Sequence, residues 1–200
     1  MSTAPQRKYT IAEYIAIEER AEYKNEYCRG EIFAMSGGTR AHARIIGNLY
    51  FQLRSALAGK GCQAFNSEQR IYVKTVDLDT YPDVSVVCGS VELSIEDPEA
   101  ITNPVVLIEV LSPSNERYDR TTKFNCYRNL RSLKQYVLVT QEEALVETFT
   151  RSANGSWEYL DAVGIDAFVN LSAIDYQLPM TAIYEEVEFV SGPRLPRHHA

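Results

Sequence analysis

The longest regular pattern of apolar residues in the sequence has the period of a helix. His42, Ile46, Leu49 and Leu53 recur at intervals of three or four residues, which places them on one helical face. The pattern begins near position 40, and glycines at positions 59 and 61 follow its last turn. We therefore predict a helix over residues 40–57 with this face turned inward.

Two other segments consist mostly of β-branched and aliphatic residues. They are Val84–Val87, which contains Ser85, and Val105–Leu111, which is interrupted only by Glu109. Continuous apolar strands are usually buried on both faces, in the middle of a sheet that helices cover. These two segments therefore predict the central strands of such a sheet.

Weaker signals predict the remaining elements. Thr10 and Glu13 have the spacing of a capping box, which predicts a short helix to about Ala21. Further strands are expected at Glu31–Met35, Gln63–Asn66, Arg70–Lys74 and Tyr136–Val139, helices at residues 115–133 and Thr181–Val187, and a β-hairpin formed by Val146–Arg151 and Ser156–Leu160. The predicted fold class is α/β or α+β, a mixed β-sheet flanked by helices with an added C-terminal β-hairpin.

Charge is distributed unevenly along the chain. The net charge of −7 argues mildly against a nucleic-acid partner. However, residues 40–74 hold six basic groups and one acid, residues 115–134 hold six and two, and residues 76–109 hold eight acids and no base. Basic charge concentrated on two helical regions suits a polyanion on one face, although two solvated helix faces give the same pattern.

Cysteine usage and hydropathy predict the compartment. No apolar run approaches the roughly 18 residues that a membrane helix needs, and the acidic residues near the N-terminus argue against a signal peptide. The four cysteines, Cys28, Cys62, Cys88 and Cys126, stand far apart without a CxxC motif. We therefore expect free thiols, no zinc site and a cytoplasmic location.

Two carboxylates stand in or beside the apolar strands. Asp83 precedes the first run and Glu109 lies inside the second. A buried, ionised carboxylate is costly unless a cation or a metal accompanies it. If the two strands are neighbours, Asp83 and Glu109 can share one divalent ion. An internal salt bridge, or a strand end that reaches solvent, is the structural alternative.

A lysine follows on the next predicted helix. Asp119, Lys123 and Tyr127 share one face of that helix. Taken alone, this spacing indicates a solvated Asp119–Lys123 pair. Beside two strand carboxylates, an ammonium can orient or activate an attacking water, so Lys123 is the candidate catalytic lysine.

Taken together, these residues resemble the Uma2 family of uncharacterised, mostly bacterial proteins. The resembling segments are Tyr27-Cys-Arg-Gly30-Glu31 followed by His42, Pro82-Asp83, Ile108-Glu109-Val110-Leu111-Ser112-Pro113-Ser114, and Asp119, Lys123 and Tyr127. That family is similar in fold to restriction endonucleases of the PD-(D/E)XK superfamily. The resemblance covers about residues 8–190 and implies one restriction-endonuclease-like domain over residues 1–190. Residues 191–200 have three prolines or glycines and no periodicity, which predicts a loose tail.

The sequence departs from the superfamily pattern at one position. The pattern places a lysine two residues beyond the second acid, where this chain has Leu111, so the resemblance nominates Lys123 instead. Either Glu31 or Glu26 could supply a third acid to the site, and the resemblance favours Glu31. The residues expected to line the site are Glu31, His42, Asp119 and Tyr127, although a lone histidine such as His42 is more often a core residue.

The resemblance implies metal-dependent hydrolysis of phosphodiester bonds in nucleic acid. Asp83 and Glu109 would hold Mg²⁺ or Mn²⁺, and Lys123 would add positive charge at the transition state. A homodimer is expected, with residues 146–160 as one candidate surface. Phosphate contacts are expected from Arg40, Arg44, Arg117, Arg120 and Arg128. The alternatives are a non-catalytic nucleic-acid or protein binding module, and a subunit of a larger system, that keeps the nuclease fold.

Overall fold

A six-stranded mixed β-sheet forms the centre of the structure, a computed structural model that describes residues 7–35 and 37–189. The strands are β1 (Asn25–Cys28), β2 (Glu31–Ala34), β3 (Cys62–Asn66), β4 (Ile71–Val73), β5 (Leu78–Thr80), β6 (Val84–Cys88), β7 (Val106–Leu111), β8 (Gln135–Thr140), β9 (Leu145–Arg151), β10 (Trp157–Val163), β11 (Phe168–Leu171) and β12 (Tyr176–Pro179). The helices are α1 (Ile11–Glu18), α2 (Arg40–Leu57), α3 (Glu116–Tyr118), α4 (Phe124–Tyr127) and α5 (Met180–Ile183). A π-helical turn, Asp119–Lys123, joins α3 to α4, and Lys74–Val76 and Ser172–Ile174 form 3₁₀ turns.

The large sheet has the strand order β10-β9-β8-β7-β6-β3. β7 and β8 are parallel, and the other neighbouring strands are antiparallel. All six residues of β7 are buried, which confirms the prediction for this segment. β6 is its direct neighbour, so the two most apolar segments of the sequence pair with each other inside the sheet.

Helix α2 covers one face of this sheet and has the predicted bounds. Its buried residues are Ile45, Leu49, Leu53 and Leu57. His42 and Ile46, which the periodicity placed on the inward stripe, are only half-buried. The later turns of α2 thus pack on the sheet, whereas its first turn brings His42 to Asp83.

A second sheet has the order β2-β1-β5-β4. It contains β1 and β5, two short strands that the sequence pattern did not predict. They pair with each other, with Tyr27 opposite Asp79. Strands this short have too few residues to show an alternating pattern, and their pairing becomes visible only in three dimensions.

Helix α1 packs against this second sheet. It begins with the predicted capping box between Thr10 and Glu13, and it ends at Glu18, three residues before the expected end. The buried Tyr14 donates a hydrogen bond from its hydroxyl to the Asn25 carbonyl at 2.7 Å. This contact ties α1 to the first residue of β1.

The helical segment after β7 is shorter and less regular than predicted. It ends at Tyr127, before the expected end at residue 133, and its middle is the π-helical turn. The side-chain amide of Asn129 donates to the carbonyls of Asn125 and Cys126, which satisfies groups that a continuing helix would use. π-Helical turns occur frequently at functional sites, and this one contains the buried Asp119 and Lys123.

The C-terminal third confirms the predicted hairpin and adds elements to it. β9 and β10 pair in an antiparallel manner across the predicted turn. β11 and β12 form a separate two-stranded sheet that was not predicted. The last helix is a single turn, Met180–Ile183, instead of the expected Thr181–Val187. The predicted loose tail at residues 191–200 lies outside the described residues.

The expectation of four free thiols is wrong for one pair. Cys62 and Cys88 stand directly opposite each other on β3 and β6 and form a disulfide. Cys28 and Cys126 remain free. The pairing was invisible in the sequence because 26 residues separate the two cysteines, and only the β3–β6 register brings them together. The cysteines therefore no longer support the expectation of a reducing compartment.

The observed class is the predicted one: mixed α+β, with multi-stranded sheets flanked by helices. Nowhere in the described ranges does a helix combine the length and the apolar character needed to span a membrane.

Candidate active site

Asp83 immediately precedes β6, and Glu109 lies within the neighbouring strand β7. The antiparallel pairing sets Val84 opposite Ile108, and continuing this register by one residue sets Asp83 opposite Glu109. A carboxylate oxygen of Asp83, Oδ2, accepts the backbone N–H of Val110 at 2.7 Å. The predicted juxtaposition of the two acid-bearing strands is therefore present.

Lys123 is surrounded by carboxylates. Its ammonium lies 2.8 Å from Glu26 Oε1, 3.1 Å from Glu109 Oε1 and 3.7 Å from Asp119 Oδ1. Lys123 is only 5% exposed, and Glu109 only 3%. The solvated Asp119–Lys123 pair considered from the sequence is thus not what the structure contains.

Further hydrogen bonds fix the carboxylates of this cluster. The Tyr127 hydroxyl donates to Glu109 Oε1 at 2.8 Å, and the Thr80 hydroxyl donates to Glu26 Oε1. Thr80 was not singled out from the sequence, because its role depends on β5, a strand that the pattern did not reveal. The buried Lys123, Glu26 and Glu109 therefore belong to one ordered polar network.

The electrostatics of the cluster follow from this crowding. Burial raises the pKa of Glu109 well above its usual range. The charge of Lys123 lowers this pKa, whereas the charges of Asp119, Asp83 and Glu26 raise it further. Burial likewise raises the pKa of Asp119 to about 6. Burial alone would lower the pKa of Lys123, but the surrounding carboxylates raise it well above its usual range, so the ammonium stays charged.

His42 joins the site from the first turn of α2. Its Nε2 lies 3.4 Å from Asp83 Oδ2. Burial alone would lower the pKa of His42, but the hydrogen bond to Asp83 and the charge of Asp83 outweigh it and raise the pKa. The imidazole also packs tightly on Gly38, where an added Cβ would stand 2.5 Å from the ring nitrogen Nδ1.

The start of α2 is itself anchored to β7. Thr39 caps the helix by accepting the N–H of His42 at 3.1 Å, and its hydroxyl donates to the side-chain oxygen of Gln141. The Gln141 amide in turn donates to the Leu111 carbonyl at 2.9 Å. This chain of hydrogen bonds sets the position of His42 relative to the strand that carries Glu109.

The donor set fits a hard divalent cation. The cluster has four acids, Glu26, Asp83, Glu109 and Asp119, against the ammonium of Lys123 and the imidazole of His42. Within the described ranges, there is no group of three or more acid, histidine or cysteine side chains that could hold a metal ion. Mg²⁺ does not require one, because it commonly binds one or two carboxylates and completes its shell with water and substrate phosphate.

A cleft borders this site on the side of His42 and Asp83, whereas Glu109 and Lys123 do not line it. It has a volume of about 630 Å³ and is lined by residues that include His42 and Asp83; we call it the His42 cleft. A larger cleft of about 1110 Å³ shares Ala43 and Gly47 of α2 with it and is lined by Arg40 and Arg44.

Several predicted site residues lie elsewhere. Glu31 forms an ion pair with Lys8 at 2.7 Å, and it is Glu26, on the paired strand, that reaches Lys123. The two candidates could be distinguished only with the β1–β2 register, which sets Glu26 opposite Phe33 and Glu31 opposite Cys28.

The five predicted phosphate-binding arginines do not converge on the His42 cleft, since none of them lines it. Arg44 pairs with Glu186, and Arg120 pairs with Glu116 and Glu147. Arg40, Arg117 and Arg128 are exposed.

Comparison with a solved structure identifies the fold. The fold matches a crystal structure described as "a putative nuclease belonging to DUF820" from Anabaena variabilis, with a TM-score of 0.71 and 21% identity, over 88% of this chain and 97% of that one. The mixed sheet with its flanking helices is therefore a nuclease-like fold.

The chain belongs to the Uma2 family, whose description is "Putative restriction endonuclease" and whose family model matches residues 11–182. Two relatives from Synechocystis sp. (strain ATCC 27184 / PCC 6803 / Kazusa) agree with this assignment. Uncharacterized protein slr1290 is 33% identical over 94% of this chain and 97% of its own length. Uncharacterized protein sll1609 is 30% identical over 86% of this chain and 97% of its own length.

Proposed function

We propose that this protein is a metal-dependent nuclease that hydrolyses phosphodiester bonds of nucleic acid. The observation that carries the proposal is the buried Lys123 ammonium, held by Glu26 and Glu109 beside Asp83. Buried charges on this scale are expensive in a purely structural role, where apolar residues of similar volume often serve as well. The family description and the nuclease-like fold support the same assignment.

Asp83 and Glu109 are the residues that would hold Mg²⁺ or Mn²⁺. The cluster contains four acidic side chains but only two that carry or can carry positive charge. This surplus of acidic groups favours binding of a divalent cation. When bound, the ion lowers the pKa of a coordinated water and offsets the charge that develops on the phosphorus oxygens. Restriction-endonuclease-like proteins are typically metal-dependent, which supports the same expectation.

The remaining side chains position and balance charge. Lys123 keeps its proton and presents a fixed positive charge where the phosphate gains negative charge. The Tyr127 hydroxyl holds the Glu109 carboxylate in one orientation, and the Val110 N–H does the same for Asp83. His42 contacts Asp83 from the side of the cleft. From there its imidazole can donate a proton to a phosphate oxygen or to the leaving group.

Nucleic acid is the proposed partner, and exposed arginines supply contacts outside the site. Arg40, Arg117 and Arg128 are exposed and can meet phosphates. Arg44 and Arg120 would have to exchange their carboxylate partners for phosphate.

A homodimer is proposed as the assembly. β10 is the edge strand of the large sheet, and Tyr159, Leu160 and Val163 on it are at least half exposed. An unpaired edge with apolar side chains is suited to antiparallel pairing with a second copy. Sedimentation that gives only monomer at micromolar concentration contradicts this part of the proposal.

One observation favours the rival class, a binding module without turnover. Asp83, Glu109, Asp119 and Lys123 are each less than 9% exposed, as in a structural ion-pair network. The two classes differ in whether purified protein turns over substrate when a metal ion is added.

The deciding experiment measures hydrolysis of single- and double-stranded DNA and RNA by purified protein with Mg²⁺ or Mn²⁺. Asp83→Asn and Glu109→Gln are expected to lose both metal binding, measured by calorimetry, and activity. Lys123→Met is expected to keep metal binding and lose about 10²–10³ in rate. Glu31→Gln, on the same hairpin as Glu26 but paired with Lys8, is the control.

No hydrolysis under any of these conditions contradicts the enzyme assignment for the isolated chain. Activity that appears only when cell extract is added identifies a subunit of a larger system.

A further inference from the structure

Two tyrosines line the His42 cleft and have no part in the proposed chemistry. Tyr23 comes from the segment between α1 and β1, and Tyr50 comes from α2. Tyr23 is 75% exposed, whereas Tyr50 is half-buried. Single exposed aromatic residues are common on protein surfaces, but two in the cleft that contains His42 and Asp83 are a feature of that cleft.

The backbone around Tyr23 is held in place although its ring is exposed. The Asn25 side-chain amide donates to the Tyr23 carbonyl at 2.9 Å. The neighbouring Lys24 donates to the Ser67 carbonyl at 2.8 Å and pairs with Glu68 at 2.6 Å. The ring therefore projects from an anchored segment, which reduces the entropy lost when a ligand packs on it.

The position of Tyr50 relates it to the reactive residues. It follows His42 by eight residues on the same helix, which corresponds to about 12 Å along the helix axis and about 80° around it, and both side chains line the cleft. A few stacked nucleotides span that distance, at about 3.4 Å for each step of one strand. A strand in the cleft can thus reach Tyr50 while one of its phosphates lies at His42 and Asp83.

The charge of the cleft does not suit a double helix. Duplex binding depends on lysines and arginines that neutralise phosphates. The acidic, basic and histidine residues lining this cleft are Glu22, Lys24, His42 and Asp83, and Lys24 already pairs with Glu68. Single-strand sites also use positive charge, but stacking of bases on aromatic rings adds affinity that does not come from neutralised phosphates.

The size of the cleft leads to the same conclusion. A volume of about 630 Å³ lies within the range of about 300–1,000 Å³ typical of pockets that enclose one small molecule. We propose that the His42 cleft takes an unpaired, single-stranded segment of nucleic acid, with one base stacked on Tyr23 and another against Tyr50. The reaction on this segment rests on the proposed nuclease function, whereas the binding does not.

The test measures binding in the absence of hydrolysis. Fluorescence anisotropy in EDTA compares a labelled single-stranded DNA, its RNA counterpart and a duplex of the same sequence. The single strands are expected to bind at least about tenfold tighter than the duplex. Tyr23→Ala is expected to weaken single-strand binding about 5- to 150-fold, and Tyr23→Phe to leave it unchanged.

Phe51→Ala is the matched control, because Phe51 is a 65% exposed aromatic residue of α2 that lines neither cleft. Duplex binding as tight as single-strand binding overturns the inference, and so does a Tyr23→Ala protein that behaves like Phe51→Ala.

The outcomes also separate this inference from the proposed function. Tyr23-dependent binding without Mg²⁺-dependent cleavage supports the inference and contradicts the nuclease assignment. Mg²⁺-dependent cleavage of duplex that Tyr23→Ala leaves unchanged supports the nuclease assignment and contradicts the inference.

Discussion

The ammonium of Lys123 lies 2.8 Å from the carboxylate of Glu26, which joins the helical segment after β7 to the first strand of the chain. This contact adds a residue from the second sheet to a site otherwise built on the large sheet and its helices. Glu26 and Glu109 both contact the ammonium of Lys123, so Glu26 positions the lysine beside Glu109.

Replacing Glu26 is therefore expected to reduce activity without removing a metal ligand. Glu26→Gln should lower the nuclease rate about 10- to 100-fold, as loss of a supporting contact at a metal site typically does. Metal affinity, measured by calorimetry, should fall less than it does in Asp83→Asn. Glu31→Gln is the matched control on the same hairpin, and equal rates for the two variants would falsify the positioning role.

Removing the lysine is expected to destabilise the fold in chelator. Lys123→Met leaves Glu26, Glu109 and Asp119 buried without their cation, and breaking a buried pair on one side costs about 3–5 kcal/mol. Urea unfolding in EDTA measures the change in the free energy of unfolding. Lys60→Met, at an exposed lysine, should change it by less than about 0.5 kcal/mol. A Lys123→Met protein as stable as the control would show that the network carries little of the stability.

Gly38 is expected to set the position of His42. A Cβ at residue 38 would stand 2.5 Å from the imidazole Nδ1, so Gly38→Ala must displace the ring from Asp83. The pKa of His42, followed by NMR titration, should then fall, because contact with Asp83 raises it in the wild type. Gly37→Ala is the control, since nothing lies within 4 Å of its added Cβ. The same His42 pKa in both variants would contradict the packing argument.

Asp79 predicts how stability depends on pH. Its carboxyl group is fully buried and lies close to that of Asp97. Burial, and then the charge of Asp97, raise the pKa of Asp79 to about 9, from an ordinary value of 3.8. Between these two values the folded state holds a proton that the unfolded state releases, so this group's contribution to stability falls as pH rises.

Asp79→Asn removes this dependence, because the amide does not ionise. Thermal unfolding is measured at pH values from 5 to 9. Relative to the wild type, the free energy of unfolding of the variant should rise by at most about 1.4 kcal/mol per pH unit. Asp175→Asn, at a surface position, is the control. Parallel curves for Asp79→Asn and wild type would mean that Asp79 is ionised in the folded protein.

Local sequence patterns were sufficient to predict the elements that are long or continuous. The bounds of α2, the burial of β7 and the β9–β10 hairpin follow from local periodicity and turn residues. The sequence also indicated that Asp83 and Glu109 belong together, because a carboxylate in an apolar strand needs a partner and two such strands are best buried side by side.

Tertiary structure decided what depends on pairing between distant segments. The choice of Glu26 over Glu31, the contribution of Thr80 and the Cys62–Cys88 disulfide each depend on the register of short strands. A shift of one residue in register turns every side chain to the other face, and strands of three to five residues carry too little pattern to fix it locally. The π-helical turn that carries Lys123 inward likewise depends on packing, since local propensity predicts an ordinary helix there.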